Sequence, residues 1–485
     1  MFVGRDRYLE QLSDQYRDVV RTREGRFVLV RGRRRVGKSR LVEEFLRREA
    51  PLAVYFTASR QPQEVELGAF AEALRQSDLP DADVLSEQPP ASWEAALTTV
   101  ATLASSTGPM VLVIDEFPYL VEGGDALAVE GTFQKLWDRV LQRLPILLVV
   151  IGSDLSMMRA LTEYDRPLYG RPTKTITVRP FSPFEVADML ELEGRDALEA
   201  YLIVGGFPFV VGSWKIGETL ASFLERSMSD PTSPLIVDGE RALAAEFPPG
   251  VQARTVLMAI GGGERTFTAL GRATGISQTS LVRALATLTD EKRVVAVDSP
   301  LSAKPSREKR YRIADPYLRF WVTFIQPALP EIERDLGGRA ATRAFERWPD
   351  YRGIAVEPVV RESFERLLAH ESTRDDVYVG RYWTRTGSTE VDLVLGSSKS
   401  APTPVAAVGS IKWRESKPFD RRDHDDLARA ASLVPGASNH TELVGVSATG
   451  FSSAGLDREI GPDDLLRAWD PGFTAAATSG RRGPP

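Results

Sequence analysis

The chain of 485 residues contains no cysteine. This excludes disulfides, cysteine-based zinc sites and thiol catalysis. Its three histidines, His370, His424 and His440, are too few and too scattered for a zinc cluster or a catalytic triad. Asn439 is its only asparagine, so no N-K-x-D guanine reader is possible. Long apolar runs are missing as well. The longest, such as Ile146 to Ile151, have the length of a strand, so no segment is expected to span a membrane. The first residues, Met1-Phe2-Val3-Gly4-Arg5-Asp6, form no apolar signal region, and the expectation is a cytoplasmic protein. No large positive excess is present either. A net charge of -6 does not advertise a nucleic-acid binder, so any such role rests on a local basic patch. Hydrophobic content of 42% and charged content of 26% are ordinary for a soluble globular chain, and the length suits about two to four domains.

Against these absences stands Gly32-Arg33-Arg34-Arg35-Val36-Gly37-Lys38-Ser39, a match to G-x-x-x-x-G-K-[ST]. Phe27 to Val30 before it reads as a short buried strand, and Leu41 to Arg48 after it as an amphipathic helix. The motif needs that context. The glycines let the backbone turn its N–H groups toward a phosphate chain. Lys38 can reach the β- and γ-phosphates, and the Ser39 hydroxyl can ligate Mg²⁺. Gly32 to Arg40 is therefore the candidate ATP site, adenine being favoured because the guanine reader is absent.

Residues 1–180 alternate strand-like runs with helical stretches, the pattern of an α/β parallel sheet. Strands are expected at 27–30, 53–57, 111–115, 147–151 and 175–178, and helices near 5–22, 38–49, 64–76, 92–105 and 132–144. The stretch 77–91 reads as a surface loop. Residues 181–240 read as a small helical lid interrupted by Gly205-Gly206-Phe207-Pro208. Residues 245–325 fit a winged helix-turn-helix, and 326–350 a charged connecting helix. Residues 351–470 fit a second, smaller α/β unit, with strands near 377–383, 389–395, 404–412 and 441–447. The tail 471–485 is expected to be disordered.

Val111-Leu112-Val113-Ile114-Asp115-Glu116 supplies the acids that a hydrolytic P-loop needs. A buried parallel strand ending in Asp-Glu presents both carboxylates at the carboxyl edge of the sheet, where ligands bind. Asp115 is the candidate to hold Mg²⁺, and Glu116 the candidate to polarise the attacking water. Ser153, in Gly152-Ser153-Asp154, is a candidate γ-phosphate sensor or else a helix cap. Arg171, in Arg166-Pro167-Leu168-Tyr169-Gly170-Arg171, is a candidate to reach phosphate charge in cis or from a neighbouring copy.

Taken in order, these motifs, with Phe2-Val3-Gly4-Arg5-Asp6, Ile114-Asp115-Glu116-Phe117, Met157-Met158 and Gly205-Gly206-Phe207-Pro208, resemble the archaeal-type ATPases of the STAND/AAA+-like P-loop class. The resemblance is clearest over about the first 235 residues. It implies an ATP-hydrolysing switch in which Val3, Gly4 and Arg5 lie near adenine and the Gly-Gly-x-Pro turn belongs to the lid. It also implies a winged helix after the ATPase and a C-terminal domain of poorly known role.

In the winged-helix region, Gln278, Thr279, Ser280 and Arg283 on the second helix are candidates to touch bases or phosphates. Lys304, Arg307, Lys309, Arg310 and Arg312 form a basic cluster in the wing. A protein–protein module is the alternative. Further on, Glu390 and Asp392 share one strand face, and Ser410 and Lys412 share another. With Glu357 on the preceding helix, this resembles the PD-(D/E)XK nuclease core, in which such a cluster binds Mg²⁺ against a phosphodiester. Ser410 departs from the pattern: it stands where a carboxylate belongs, and a neutral hydroxyl is a weak Mg²⁺ ligand. Three readings follow. The first is a Mg²⁺-ATP switch coupled to a winged helix and a degenerate nuclease-like domain. The second is a DNA-binding regulator whose affinity is set by ATP, and the third an ATP-gated nuclease. Self-association or a protein partner is compatible with each.

Overall fold

The structure, a computed structural model, describes residues 2–82, 88–122, 126–153, 155–247, 250–371, 377–452 and 455–473. Asp154, part of the expected loop 77–91 and most of the expected tail lie outside the described residues. The chain divides into two compact units, Met1–Pro180 and Phe181–Pro485.

The first unit is built on an all-parallel sheet of β1 (Arg26–Arg31), β2 (Leu52–Thr57), β3 (Met110–Asp115), β4 (Ile146–Gly152) and β5 (Lys174–Thr177), in the order β2-β3-β4-β1-β5. The residues of β3 and β4 are buried throughout, as continuous apolar runs in a parallel sheet covered on both faces require. Helices Asp6–Thr22, Lys38–Glu49, Gln63–Arg75, Trp93–Thr107 and Ala126–Arg139 supply the covering layers. On one face, Phe56, Phe70, Trp93, Phe117 and Phe133 form a chain of tilted and edge-on rings. The order of strands positions the site. β1, which feeds the Gly32–Ser39 loop, lies beside β4, and β4 lies beside the acid-bearing β3. The carboxyl ends of all three open on the same edge. The helix expected over 132–144 starts earlier and ends at Arg139. Val140, at φ −128°, leaves the helical region before a short 3₁₀ turn.

The second unit begins with helices Pro183–Leu190, Gly194–Val204, Pro208–Val211, Leu220–Met228 and Pro234–Glu246. Ser182 and Glu185 form a capping box at the first of these. Helices Gln252–Gly261, Phe267–Thr274 and Gln278–Ala286 follow, then the antiparallel pair β6 (Val295–Asp298) and β7 (Arg310–Ile313). Gly275, at φ 67°, closes the helix Phe267–Thr274, and Ser277 caps the next. The expected single connecting helix over 326–350 is corrected to separate pieces, Gln326–Ile332, Gly337–Glu346 and Trp348–Ala355. Asp335, left-handed at φ 60°, and Pro349 in the first turn of the last piece account for the breaks.

The helix Glu357–Glu371 leads into a mixed sheet of β8 (Tyr378–Trp383), β9 (Glu390–Gly396), β10 (Ala407–Lys412), β11 (Glu442–Ser447) and β12 (Arg458–Ile460), ordered β12-β11-β10-β9-β8. Leu301, from the segment between β6 and β7, belongs to this sheet's core with Val391, Val394, Val408, Phe419 and Leu427. No helix among the described residues is long and apolar enough to cross a membrane.

Candidate functional site

At the carboxyl end of β1 the chain turns through Arg35, at φ 64°, and Gly37, at φ 86°. Such left-handed steps point successive N–H groups into one concavity. A Cβ on Gly32 would lie 2.4 Å from the Val178 carbonyl oxygen, so no other residue fits there without displacing the chain after β5. Val36 is fully buried, and Ser39 opens the helix Lys38–Glu49. Lys38 is 5% exposed, and its Nζ donates to the Arg33 carbonyl at 3.0 Å. Burial pushes the Lys38 ammonium down to about 8; Glu116 and Asp115 oppose the shift and Arg34 adds to it.

Asp115 ends β3 and is 4% exposed. Its Oδ1 accepts from the Glu116 N–H at 2.8 Å, and its Oδ2 accepts from the Tyr55 hydroxyl at 2.8 Å. The same hydroxyl is hydrogen-bonded with Ser39, so Tyr55 joins the two expected metal ligands. Burial and the Asp115 carboxylate hold the Tyr55 phenol well above its ordinary range, keeping it a donor. Ser39 and Asp115 thus offer hard oxygen donors side by side. Among the described residues no cluster of three or more His, Cys, Asp or Glu could cage a metal by itself. That donor set fits Mg²⁺, which takes one or two protein oxygens and completes its shell with phosphate and water.

Glu116 is left-handed at φ 51°, an uncommon conformation for a residue with a side chain, and it precedes the 3₁₀ turn Phe117–Val121. The Ser153 Oγ, at the end of β4, donates toward both Glu116 carboxylate oxygens, at 2.9 and 2.8 Å. Ser153 is 7% exposed. Arg34 Nη2 donates to the Tyr119 hydroxyl at 2.7 Å, drawing the loop toward the same turn, and Arg40 pairs with Glu43 at 3.2 Å on the helix surface. The N-terminal segment reaches this loop through a buried arginine. Arg5 Nη2 donates to the Val36 carbonyl at 3.2 Å and Nη1 to the Arg179 carbonyl at 2.6 Å. Val3 and Gly4 immediately precede that anchor, and both are partly buried.

Arg171 is elsewhere. Its guanidinium pairs with Asp138 at 3.1 Å and donates to the Tyr169 carbonyl at 2.6 Å, next to Gly25 and Arg26 at the amino end of β1. The phosphate loop leaves the opposite end, roughly 17 Å away at about 3.3 Å per residue. The expectation that Arg171 reaches phosphate in cis is therefore corrected; the turn after Leu168 carries it to the wrong edge of the sheet. Tyr55, which sequence reasoning missed, is the addition. Its signal was weak, a tyrosine on a strand neighbouring the acidic one.

The residues expected to form a nuclease-like site lie in the second unit. The Asp392 Oδ2 accepts from the Ser410 Oγ at 3.2 Å and the Ile411 N–H at 2.9 Å. Burial, then the nearby Glu357, raise the Asp392 carboxyl above its ordinary range, opposed by the Ile411 N–H, Lys412 and Ser410. Glu357 faces Arg361 at 3.3 Å and Arg381 at 3.4 Å. Glu390 pairs with Arg310 at 2.6 Å. Burial acts to raise the Glu390 carboxyl, and Arg310, Arg381 and Arg265 override it and hold it low. Asp392, Ser410 and Lys412 do come together, whereas arginines take up Glu357 and Glu390.

A P-loop, an acidic strand end and a serine on the intervening strand, all on one sheet edge, define a P-loop ATPase. Residues 1–150 match the AAA ATPase domain family, and residues 321–424 match a family described as archaea bacterial proteins of unknown function. These matches support the likeness to archaeal-type P-loop ATPases, with the AAA ATPase domain in the first unit. It is 24% identical over 439 residues to the uncharacterized protein MJECL04 of Methanocaldococcus jannaschii, covering 90% of this chain and 92% of that one. Among solved structures it is similar to the Walker-type ATPase paby2304 of Pyrococcus abyssi, with 18% identity, TM-score 0.45, and 66% of this chain and 96% of that chain covered. It is also similar to the Aeropyrum pernix ORC2 protein in its ADPNP–ADP complexes, with 15% identity, TM-score 0.45, and 71% and 95% covered.

Proposed function

We propose that the protein is a switch that binds and hydrolyses Mg²⁺-ATP and uses the cycle to change what its second unit does on nucleic acid. The carrying observation is the convergence of Lys38, Ser39, Asp115 and Glu116 on one sheet edge, with Ser153 hydrogen-bonded to Glu116. In this reading the backbone amides of Arg33 to Ser39 and the Lys38 ammonium hold the phosphates, Ser39 and Asp115 hold Mg²⁺, and Glu116 accepts the proton of the attacking water. Bound Mg²⁺ supplies charge neutralisation. Ser153 keeps the Glu116 carboxylate oriented. Arg5 links the Val3-Gly4-Arg5 segment to the loop and keeps it beside the adenine end. A catalytic arginine, if Arg171 serves as one, acts from a neighbouring copy.

The nucleic-acid part of the reading is supported by the helix Gln278–Ala286, which leaves Gln278, Thr279 and Arg283 exposed. Lys304, Arg307 and Lys309 between β6 and β7 are exposed, while Arg310 and Arg312 are paired with Glu390 and Asp298. On this reading the region serves as a winged helix whose wing keeps only part of its basic cluster free for phosphate. The C-terminal sheet fits a binding role better than cutting, because Ser410 occupies the carboxylate position and two of the expected acids face arginines.

ATP turnover with and without duplex DNA, in the parent chain and in Glu116→Gln, tests the proposal. Turnover that DNA changes severalfold and that Glu116→Gln loses supports it. Equal turnover in both proteins overturns the catalytic assignment, and turnover indifferent to DNA overturns the coupling.

A further inference from the structure

The second unit contains a cavity of about 290 Å³ lined by seven arginines and three carboxylates. It lies among β7, the helix Trp348–Ala355 and the start of Glu357–Glu371. Three of the seven arginines, Arg265, Arg319 and Arg347, have no carboxylate in ion-pair reach among the described residues, whereas Arg310 and Arg381 reach Glu390 at 2.6 and 3.8 Å. Arg312 has Asp298 at 3.3 Å, and Glu357 is shared between Arg361 and Arg381. The third carboxylate, Asp350, is exposed. Arg319 spends its guanidinium on two neutral carbonyls, Ile313 at 2.9 Å and Ala355 at 3.1 Å. The Arg265 side chain has no hydrogen-bond or ion-pair partner among the described residues. Among the described residues, Arg361 Nη2, Arg381 Nε and the Tyr351 hydroxyl are buried polar atoms without a hydrogen-bond partner.

Buried N–H donors left unpaired cost more than the net worth of a hydrogen bond, and charged ones more still. Several such donors gathered around one hollow, with the Arg265 guanidinium beside them, favour an anion in the hollow. Guanidinium forks match phosphate oxygens in geometry as well as charge. The remaining wall is apolar and aromatic, with Ile260, Phe324, Ile354 and the Tyr351 ring. The volume is at the lower end for small-molecule sites, roughly 300 Å³ and upward. Burial holds the Arg265, Arg319 and Arg361 guanidiniums below their ordinary range, a cost that a bound anion reverses.

We infer that this cavity binds a small phosphate-bearing group, its phosphate held by Arg265, Arg361 and Arg381 and its apolar or ring portion set against Phe324 and Tyr351. A free nucleoside monophosphate and the terminal phosphate of a nucleic-acid strand share this chemistry. The site does not depend on the ATPase reading, since every residue in it belongs to the second unit.

The test uses the full chain carrying Lys38→Ala, which disables the phosphate loop and leaves the cavity unchanged. Titration calorimetry is run with inorganic phosphate, AMP, adenosine, and a short single strand with and without a 5′-phosphate. AMP binding at least tenfold tighter than adenosine supports the inference and assigns the free nucleotide. Binding confined to the 5′-phosphorylated strand supports it and assigns the strand end. Arg265→Gln should weaken the favoured probe at least tenfold, and Asp350→Asn, at an exposed position, should tighten it severalfold. No binding of any phosphorylated probe overturns the inference. So does adenosine binding as tightly as AMP, or affinities unchanged in both folded variants.

Discussion

Lys38 concentrates the chemistry of the first unit at one atom. Its ammonium is held down to about 8 mainly by burial. Bound phosphate raises it again, so above that value binding takes up a proton. ATP affinity should therefore fall as pH rises through about 8, approaching tenfold per pH unit. Calorimetry in buffers of different ionisation enthalpy reads the proton directly. On the proposed reading Ser153, hydrogen-bonded to Glu116, acts through that carboxylate rather than on the substrate. Ser153→Ala should cut turnover by roughly tenfold with ATP affinity unchanged, and steady-state kinetics separates the two. A loss confined to affinity would instead make Ser153 a phosphate contact. At this scale the sequence was legible where residue type and spacing dictate chemistry: Gly32, Lys38, Ser39 and Asp115-Glu116 announce themselves. Tyr55 did not, because its role arises only when β2 is laid beside β3 and its hydroxyl meets Asp115. Arg171 misled for a related reason. A loop arginine near a P-loop in sequence says nothing about which end of β1 it will occupy.

Among the elements, the glycine turn after the helix Gly194–Val204 has a definite structural role. Gly205 stands at φ 56°, and a Cβ there would lie 2.8 Å from the Tyr317 Cβ and 3.0 Å from its backbone nitrogen. The Phe207 ring packs edge-on against Tyr317, at 5.8 Å between centroids. Gly217 is also left-handed, at φ 78°, but has open space around it. Gly217→Ala should thus carry only the backbone strain, about 1 kcal/mol. Gly205→Ala should add a steric clash and cost about 3 kcal/mol. Urea unfolding of the two variants measures the contrast, and equal costs would show that Tyr317 gives way freely. Apolar runs made β1 to β4 readable. The helix Arg421–Ser432 escaped notice because it is so charged. Its start is marked only by the Asp420–Asp423 capping box, and Leu427 and Ala431 are its only buried apolar residues.

Across the molecule, the second unit is tied together by a buried carboxylate. Glu199 accepts from the indole N–H groups of Trp348 at 3.0 Å and Trp413 at 3.2 Å, and from Arg352 at 3.2 Å. Residues far apart in sequence meet there, which is why no local pattern revealed it. Glu199→Gln should destabilise the unit by about 3 kcal/mol, because it leaves the buried Arg352 charge with only the exposed Glu415 at 3.6 Å; the thermal transition of the full chain reports it. In the proposed ATPase of the other unit, Lys38 holds the nucleotide and Glu116 hydrolyses it. ATP binding and single-turnover hydrolysis, followed in parallel for the parent chain, Lys38→Ala and Glu116→Gln, test this most directly. Glu116→Gln should bind ATP like the parent and hydrolyse it at least 100-fold more slowly, whereas Lys38→Ala should fail to bind. Hydrolysis by Glu116→Gln at the parent rate would contradict it.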